Sequence, residues 1–176
     1  MSTLHAPTLI ASPIPALYAC HVIWDEESQT ISATVERQAT TSPNLAQHIE
    51  RTLFEIDADR RLVLGDLDIL LDGEGHFNAL EMRIGPKASW QQRPTPTLLS
   101  IDSPSDVAFD VDFDTNGIAV VETSVGTFFD AATGTLCFQI KGASAERHLQ
   151  LADKLCFGVD GDGRLTEVLL GVGSLT

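Results

Sequence analysis

Residues 61–85 read RLVLGDLDILLDGEGHFNALEMRIG, in which two apolar stretches are joined by the turn-forming residues DGEG at 72–75. Asp and Gly accept the tight backbone conformations of turns, and such turns between apolar runs are typical of antiparallel strands. The same arrangement returns at residues 148–173, HLQLADKLCFGVDGDGRLTEVLLGVG, with DGDG at 160–163 and one residue inserted. The two segments therefore predict one hairpin-built unit that is used twice.

A second pair of matching segments precedes the first pair in each half of the chain. Residues 22–35, VIWDEESQTISATV, align with residues 126–140, GTFFDAATGTLCFQI. Because both matches occur in the same order in each half, they favour an internal duplication. We therefore predict four segments, packed as one structural unit: an N-terminal extension (1–17), a first β pseudo-repeat (18–86), a linker (87–106) and a second β pseudo-repeat (107–176).

Helix signals are few in this chain, while turn signals recur between apolar runs. SPNLAQHIERTL, from Ser42, has an N-cap serine and a proline at the first helical position, which predicts one short helix. An extra strand, LFEID (53–57), is expected after it. We predict a mainly β fold of antiparallel, hairpin-rich sheets, arranged as a sandwich or half-barrel, with at most one or two short helices.

Residues 107–113, VAFDVDF, alternate apolar and acidic side chains, which is typical of a half-buried strand. Asn-Gly at 116–117 is a strong hairpin signal, so we predict a hairpin over residues 110–122 that has no match in the first half. Its apolar side chains would point inward and its aspartates outward. The predicted outer row of carboxylates is Asp110, Asp112 and Asp114.

The same stretch does not match a calcium-binding loop, and the rest of the chain shows no pattern of a catalytic or metal site. Counted from Asp112, the twelfth position of an EF-hand loop falls on Thr123, and a strand precedes the loop where a helix is required. The five histidines are scattered without zinc spacing and are expected to be surface or turn residues. The three cysteines have no metal-ligand spacing and are expected to be buried thiols. We predict no catalytic residue, no bound metal and no cofactor.

Charge is the strongest global feature, with 25 Asp and Glu against 11 Lys and Arg and a net charge of −14. No Lys or Arg occurs between Arg93 and Lys141. Nucleic acids and anionic membranes need clustered cations, so neither is expected as a partner. The predicted partner is a basic protein, and the candidate partner-binding residues are Asp106, Asp110, Asp112, Asp114, Glu122 and Asp130.

The cytoplasm is the predicted location. No stretch approaches the ~20 apolar residues of a membrane span. The N-terminus has no Lys or Arg before its apolar part, and prolines at positions 7, 13 and 15 interrupt that part. A secretory signal needs a basic start and an unbroken apolar run, so none is expected.

The stretches WDEESQTI, FFDAATGTL, LDGEGHFNALEM and VDGDGRLTEVLL resemble a small uncharacterised bacterial family of β-hairpin proteins. Its pattern is Y-D-x-x-x-D-x-L, followed by D-x-D-G-R and an apolar strand. The second Asp of the first motif is replaced here by Gln29 and Gly134. The likeness spans about half of the chain, implies the fold, and carries no activity.

In character the chain also resembles bacterial toxin-immunity proteins, which are small, acidic and free of catalytic motifs. This resemblance implies a non-enzymatic protein that binds and neutralises a basic toxin such as a nuclease. Three alternatives stay open: a β-sheet protein with weak divalent-cation or small-ligand binding, an enzyme with no recognisable motif, and an acidity that serves solubility alone.

Overall fold

The computed structural model describes residues 6–37, 60–95 and 103–173. Strands of the first half are β1 (Thr8–Pro13), β2 (Ala19–Asp25), β3 (Thr30–Glu36), β4 (Arg60–Leu64), β5 (Leu67–Leu71), β6 (Phe77–Arg83) and β7 (Gln91–Gln92). Strands of the second half are β8 (Ser105–Asp110), β9 (Ile118–Val121), β10 (Val125–Asp130), β11 (Thr135–Ile140), β12 (Arg147–Ala152), β13 (Leu155–Val159) and β14 (Leu165–Gly171). Within these residues the helical structure is one 3-10 turn, Lys87–Ser89. The prediction of a mainly β, hairpin-rich fold is confirmed, while the helix from Ser42 and the strand 53–57 lie outside the described residues.

Five strands of each six-stranded sheet repeat one strand order, and the sixth strand, β9 or β7, is added at opposite edges. The first sheet runs β2-β3-β6-β5-β4-β9, and the second runs β7-β10-β11-β14-β13-β12 when read from its opposite edge. In both sheets a hairpin is followed by three antiparallel strands, of which the last returns to pair with the hairpin. The two sequence alignments fall on these equivalent strands, which is the arrangement that a duplication predicts. The duplication itself stays a prediction.

Strands at the sheet edges link the two halves of the chain. β9 pairs in parallel with β4 of the first half, and β7 pairs in parallel with β10 of the second half. β1 and β8 form a separate antiparallel ribbon. The region expected to be an N-terminal extension therefore contributes β1 to the fold, and the expected linker contributes β7 and the first residues of β8.

The predicted hairpin over residues 110–122 is wrong. β8 ends at Asp110 and pairs with β1, while β9 begins at Ile118 and pairs with β4. Asn116 and Gly117 do form a turn, but the two arms that leave it go to different sheets. A two-residue turn signal describes the backbone locally, and the pairing of each arm is decided by the apolar surface available to it.

One apolar core contains side chains of both sheets and of the ribbon. The rings of Phe77 in β6 and Phe157 in β13 meet edge to face, with centroids 5.3 Å apart. Phe109 of the ribbon contacts the same Phe157 ring at 5.9 Å. Burial of an aromatic side chain of this size stabilises a fold by about 1.5–3 kcal/mol, so these contacts bind the three sheets together. Among the described residues, no helix has the length and apolar character needed to cross a membrane.

Candidate functional site

Three turns of the chain share one sequence pattern and one set of hydrogen bonds. They are DGEG (72–75), DTNG (114–117) and DGDG (160–163). In each, Oδ1 of the leading Asp accepts hydrogen bonds from the backbone N–H groups two and four residues later, at 2.8–2.9 Å. The closing Gly has a φ of 76° to 88°, which L side chains rarely adopt. The pattern D-x-x-G therefore encodes a rigid turn whose first carboxylate is already in use.

Each turn is also attached to a neighbouring strand through the carbonyl of its closing glycine. The bonds are Phe109 N–H to Gly75 O, Arg61 N–H to Gly117 O and Leu9 N–H to Gly163 O, at 2.8–2.9 Å. Leu9 and Phe109 are cross-strand partners in the β1–β8 ribbon. The turns 72–75 and 160–163 therefore lie on opposite sides of the same end of that ribbon.

The turn 114–117 lies at the same end of the molecule because of its contacts with β4. Arg60 pairs with Leu71, the residue directly before the turn 72–75. The guanidinium of Arg60 lies 5.0 Å from the ring centroid of Phe113, the residue directly before Asp114. Arg60 therefore contacts the residue directly before each of these two turns, Leu71 and Phe113. The three turns lie at one end of the protein.

We name this region the acidic end, defined by the exposed side chains of Glu74, Asp110, Asp112, Asp114 and Asp162. The Glu74 side chain is 85% exposed and that of Asp162 is 73% exposed, so both are open to a partner. Among the described residues, two arginines lie nearby: Arg164 is 3.5 Å from Asp162, and Arg60 stacks on Phe113. The five exposed carboxylates outnumber these two cations, which gives a locally negative potential.

Three of the six predicted site residues lie at the acidic end. Asp110, Asp112 and Asp114 are exposed, and the side chains between them are partly buried, as the alternating pattern indicates. The strand ends at Asp110, however. Asp112 lies in the segment after it and Asp114 begins the turn 114–117, so the three carboxylates do not form the predicted row on one strand. Asp114 also holds the turn 114–117 together through its Oδ1.

The other three predicted residues lie elsewhere. Asp106 is only 15% exposed and pairs with Arg37, which also donates to the carbonyl of Phe77. Glu122 is exposed but follows β9, at the end of β4 away from the three turns.

Asp130, the last of the three, is occupied by contacts within the chain. Its Oδ2 accepts the backbone N–H and the hydroxyl of Thr95, both at 2.7 Å. These bonds from Thr95 hold the pKa of Asp130 well below its usual range. The carboxylate therefore anchors the segment that follows β7.

Glu74 and Asp162 are members of the acidic end that the sequence analysis missed. Both had been assigned only to turns. The available signal was the shared D-x-x-G pattern, since DTNG (114–117) has the same first and fourth residues as the other two turns. The shared pattern of the three turns would have grouped Glu74 and Asp162 with Asp114 as candidate site residues.

A second polar cluster lies on the outward face of the second sheet and is buried. Nε2 of His148 and Oε1 of Glu167 are 2.7 Å apart, with side chains 1% and 4% exposed. The sulfur of Cys137 lies 3.9 Å from the other oxygen of Glu167. The expectation that all histidines are surface or turn residues is therefore wrong for His148. Spacing along the chain gave no warning, because the partner Glu167 is brought to it by the sheet.

Glycine makes this buried pair possible. Gly158 lies between His148 on β12 and Glu167 on β14 in the sheet register. A Cβ atom at Gly158 would lie 2.5 Å from Cγ of Glu167, closer than such atoms approach. The missing side chain therefore lets the imidazole and the carboxylate meet across the intervening strand.

The chemistry of this cluster is that of a closed structural site. All three cysteines are free and buried, as expected. Burial, and then the charge of Glu167, raise the pKa of Cys137 and of Cys156 to about 12. Both thiols are therefore protonated at neutral pH and are poor nucleophiles. Within the described part of the chain, no group of three or more His, Cys, Asp or Glu is placed to hold a metal ion.

No protein-family model matches the chain, and no curated protein matches it. The resemblances to a hairpin family and to immunity proteins therefore depend on the motifs and the character of the sequence. They stay predictions.

Proposed function

We propose that this chain is a non-enzymatic protein that binds a basic protein through its acidic end. In its sharpest form it is an immunity protein that neutralises a basic toxin, such as a nuclease. The observation that supports the proposal most is that three separate turns, together with the end of β8 and the segment after it, bring five exposed carboxylates to one end of the molecule.

The physical basis of such binding is electrostatic complementarity. A nuclease must be cationic where it holds phosphate, and a cluster of carboxylates fits the same surface. The long-range field of a chain with net charge −14 also accelerates the encounter with a cation. Both effects weaken when salt screens the charges.

Rigidity of the acidic end adds to the argument. The three turns are closed by side-chain and backbone hydrogen bonds and are attached to β1, β4 and β8. Ordering of flexible loops on binding costs about 0.5–1.5 kcal/mol per immobilised side chain, and a preformed backbone reduces this cost. The carboxylates are therefore presented on a fixed frame.

The test is affinity capture from a lysate of the native host, followed by mass spectrometry, with two matched variants. The first neutralises the acidic end by Glu74→Gln, Asp110→Asn, Asp112→Asn and Asp162→Asn, and it spares Asp114 because that residue closes its turn. The control neutralises four exposed acids elsewhere, Glu26→Gln, Glu27→Gln, Glu81→Gln and Glu122→Gln, and has the same net charge.

We expect a stoichiometric basic partner on the wild type and on the control, and at least a tenfold loss of affinity in the acidic-end variant. The affinity should fall as salt rises. Expression of the captured partner alone should then arrest growth of a surrogate host, and co-expression of this chain should restore it. Equal binding by the two variants would place the docking surface elsewhere, and a partner without toxicity would remove the immunity form of the proposal.

A further inference from the structure

Among the described residues, the outer edge of β2 is bonded to the second sheet at its start, where Cys20 contacts Asp153, and is open at Val22 and Trp24. β2 is the terminal strand of the first sheet, and no strand among the described residues pairs with its outer side. The N–H of Cys20 points away from β3, because it donates to Oδ1 of Asp153 at 2.9 Å. Antiparallel ladders alternate, so the N–H and C=O groups of Val22 and Trp24 point outward in the same way.

The equivalent edge of the second sheet already carries an added strand. β10 aligns with β2, and β7 pairs with it at Phe128 and Phe129. The backbone N–H of Arg93 donates to the carbonyl of Phe129 at 3.0 Å, and Phe129 aligns with Trp24. The edge geometry shared by the two sheets therefore accepts an additional strand.

The sequence of β2 also lacks the residues that commonly protect edge strands from pairing. Its sequence, ACHVIWD, contains no Lys, Arg or Pro, which commonly block edge-to-edge association. The side chain of Ile23, at the centre of the strand, is 65% exposed. An exposed apolar residue on an open edge is typical of a pairing surface.

We propose that β2 pairs antiparallel with β2 of a second copy of this chain, about a two-fold axis that passes through Ile23. The register is set by the backbone groups that point outward. Val22 of one copy then lies opposite Trp24 of the other, and these residues exchange four backbone hydrogen bonds in total. Ile23 faces its own counterpart as a non-hydrogen-bonded pair, in which the Cα atoms of the two strands are about 4.5 Å apart.

The side chains are complementary in this register. His21 of each copy lies opposite Asp25 of the other copy. The two pairs lie on the same face as the two Ile23 side chains. The His21 side chain is 62% exposed and its Nε2 lies 3.0 Å from Oε2 of Glu36 in its own chain, while Asp25 is exposed at the end of the strand. A two-fold interface requires a self-complementary surface, and an imidazole opposite a carboxylate on either side of an apolar pair satisfies that requirement.

The dependence on salt concentration distinguishes this association from the proposed binding of a basic partner. Two copies of net charge −14 repel each other, and salt screens that repulsion. Dimerisation should therefore strengthen as salt rises, whereas binding of a basic protein should weaken. The dimer also does not depend on the acidic end, so either proposal can fail without the other.

The first test is sedimentation velocity over a hundredfold range of protein concentration, at low and moderate salt. We expect a monomer–dimer equilibrium in the wild type and a monomer throughout in Ile23→Lys, which places two ammonium groups together at the axis. The matched control is Val120→Lys, which changes a residue that is 57% exposed on β9, at the opposite edge of the same sheet. It should dimerise like the wild type.

The second test traps the register. Ile23→Cys should form a disulfide-linked dimer under mild oxidation, because directly opposed non-hydrogen-bonded residues have Cβ separations near those of a disulfide. Val120→Cys should not. Background from the native thiols is low, since all three are buried. A wild type that is monomeric at every concentration, or an Ile23→Lys variant that dimerises like the wild type, would overturn the proposal and leave this edge to a strand from another protein.

Discussion

Five strands follow the same order in each of the two six-stranded sheets, but the outer faces of the two sheets differ in exposure. The outward face of the first sheet is polar and open: Arg61 and Asp68 form an ion pair there with side chains 49% and 30% exposed. In the aligned positions of the second sheet stand His148 and Cys156, which are 0% and 8% exposed. Equal topology therefore does not impose equal chemistry, since the outward positions of a strand can vary while the inward ones are held by the core.

The difference between the sheets is clearest in two rows of residues. In the first sheet Arg61, Leu70 and Ala79 are neighbours across β4, β5 and β6. The aligned row of the second sheet is His148, Gly158 and Glu167. The first sheet has the large Leu70 beside the small Ala79, whereas the second sheet has the small Gly158 beside the large Glu167. The buried contact between His148 and Glu167 therefore lies in the row where the first sheet has Leu70 and Ala79.

The largest expected loss of stability follows from a substitution of Glu167, the buried carboxylate of the second sheet. Glu167→Ala removes the carboxylate from the buried His148 and opens a cavity, which should lower the free energy of unfolding by about 3–5 kcal/mol. Glu81→Ala, on the open face of the first sheet, should change it by less than about 0.5 kcal/mol. Urea denaturation of both variants measures the contrast.

Glu167→Gln keeps the shape of the side chain and guards against a variant that fails to fold. It should lose less than Glu167→Ala, because a hydrogen bond to His148 survives. Equal stabilities of Glu167→Ala and Glu81→Ala would show that the buried pair contributes nothing to the fold.

The turns of the first hairpins supply a second, intermediate contrast. Gln29 and Gly134 are aligned and both have a left-handed backbone, with φ of 57° and 66°. Gly134→Gln should destabilise the chain by about 1–3 kcal/mol, because its Cβ would also meet the backbone of Gly173 at 2.9 Å. Gln29→Gly should instead stabilise it, by about 0.5–1 kcal/mol, since it relieves the same strain.

Thermal unfolding of these two variants under one buffer condition measures both changes. Opposite signs are the expected result. A loss of stability in Gln29→Gly would mean that the Gln29 side chain makes contacts worth more than the backbone strain.

The smallest expected effect concerns pH. The hydrogen bonds from Thr95 lower the pKa of Asp130, so this carboxylate stabilises the fold above its unfolded pKa of about 3.9, and the contribution is lost as pH falls. The pKa of Asp25, the aligned residue, is also lowered, chiefly by hydrogen bonds from Ser28. Only Asp130 anchors a further segment, the one that follows β7.

Asp130→Asn should therefore reduce the acid-induced fall of the melting temperature between about pH 5 and about pH 2 more than Asp25→Asn does. Melting curves across that range, with the wild type as reference, provide the measurement. An identical pH dependence in all three proteins would show that the Thr95 contacts do not persist in solution.

Local signals in the sequence accounted for the turns and for most strands. The prediction of antiparallel hairpins held at 22–35 and 126–140 because Asp and Gly at defined offsets favour tight turns whatever surrounds them. It failed at 110–122 because the same signal says nothing about which strand each arm will join. For the candidate site, exposure of Asp110, Asp112 and Asp114 followed from alternation, whereas the engagement of Asp106 by Arg37 joins residues 69 positions apart.

By itself, the sequence determined the mainly β character, the acidic surface and the three D-x-x-G turns, since each depends on residue type and short spacing. Only the tertiary structure decided that these turns meet at one end, that β7 and β9 complete sheets begun by the other half, and that His148 meets Glu167 across Gly158. These outcomes depend on pairings between distant strands. Such pairings are selected by the apolar area that the whole chain can bury, which no local pattern contains.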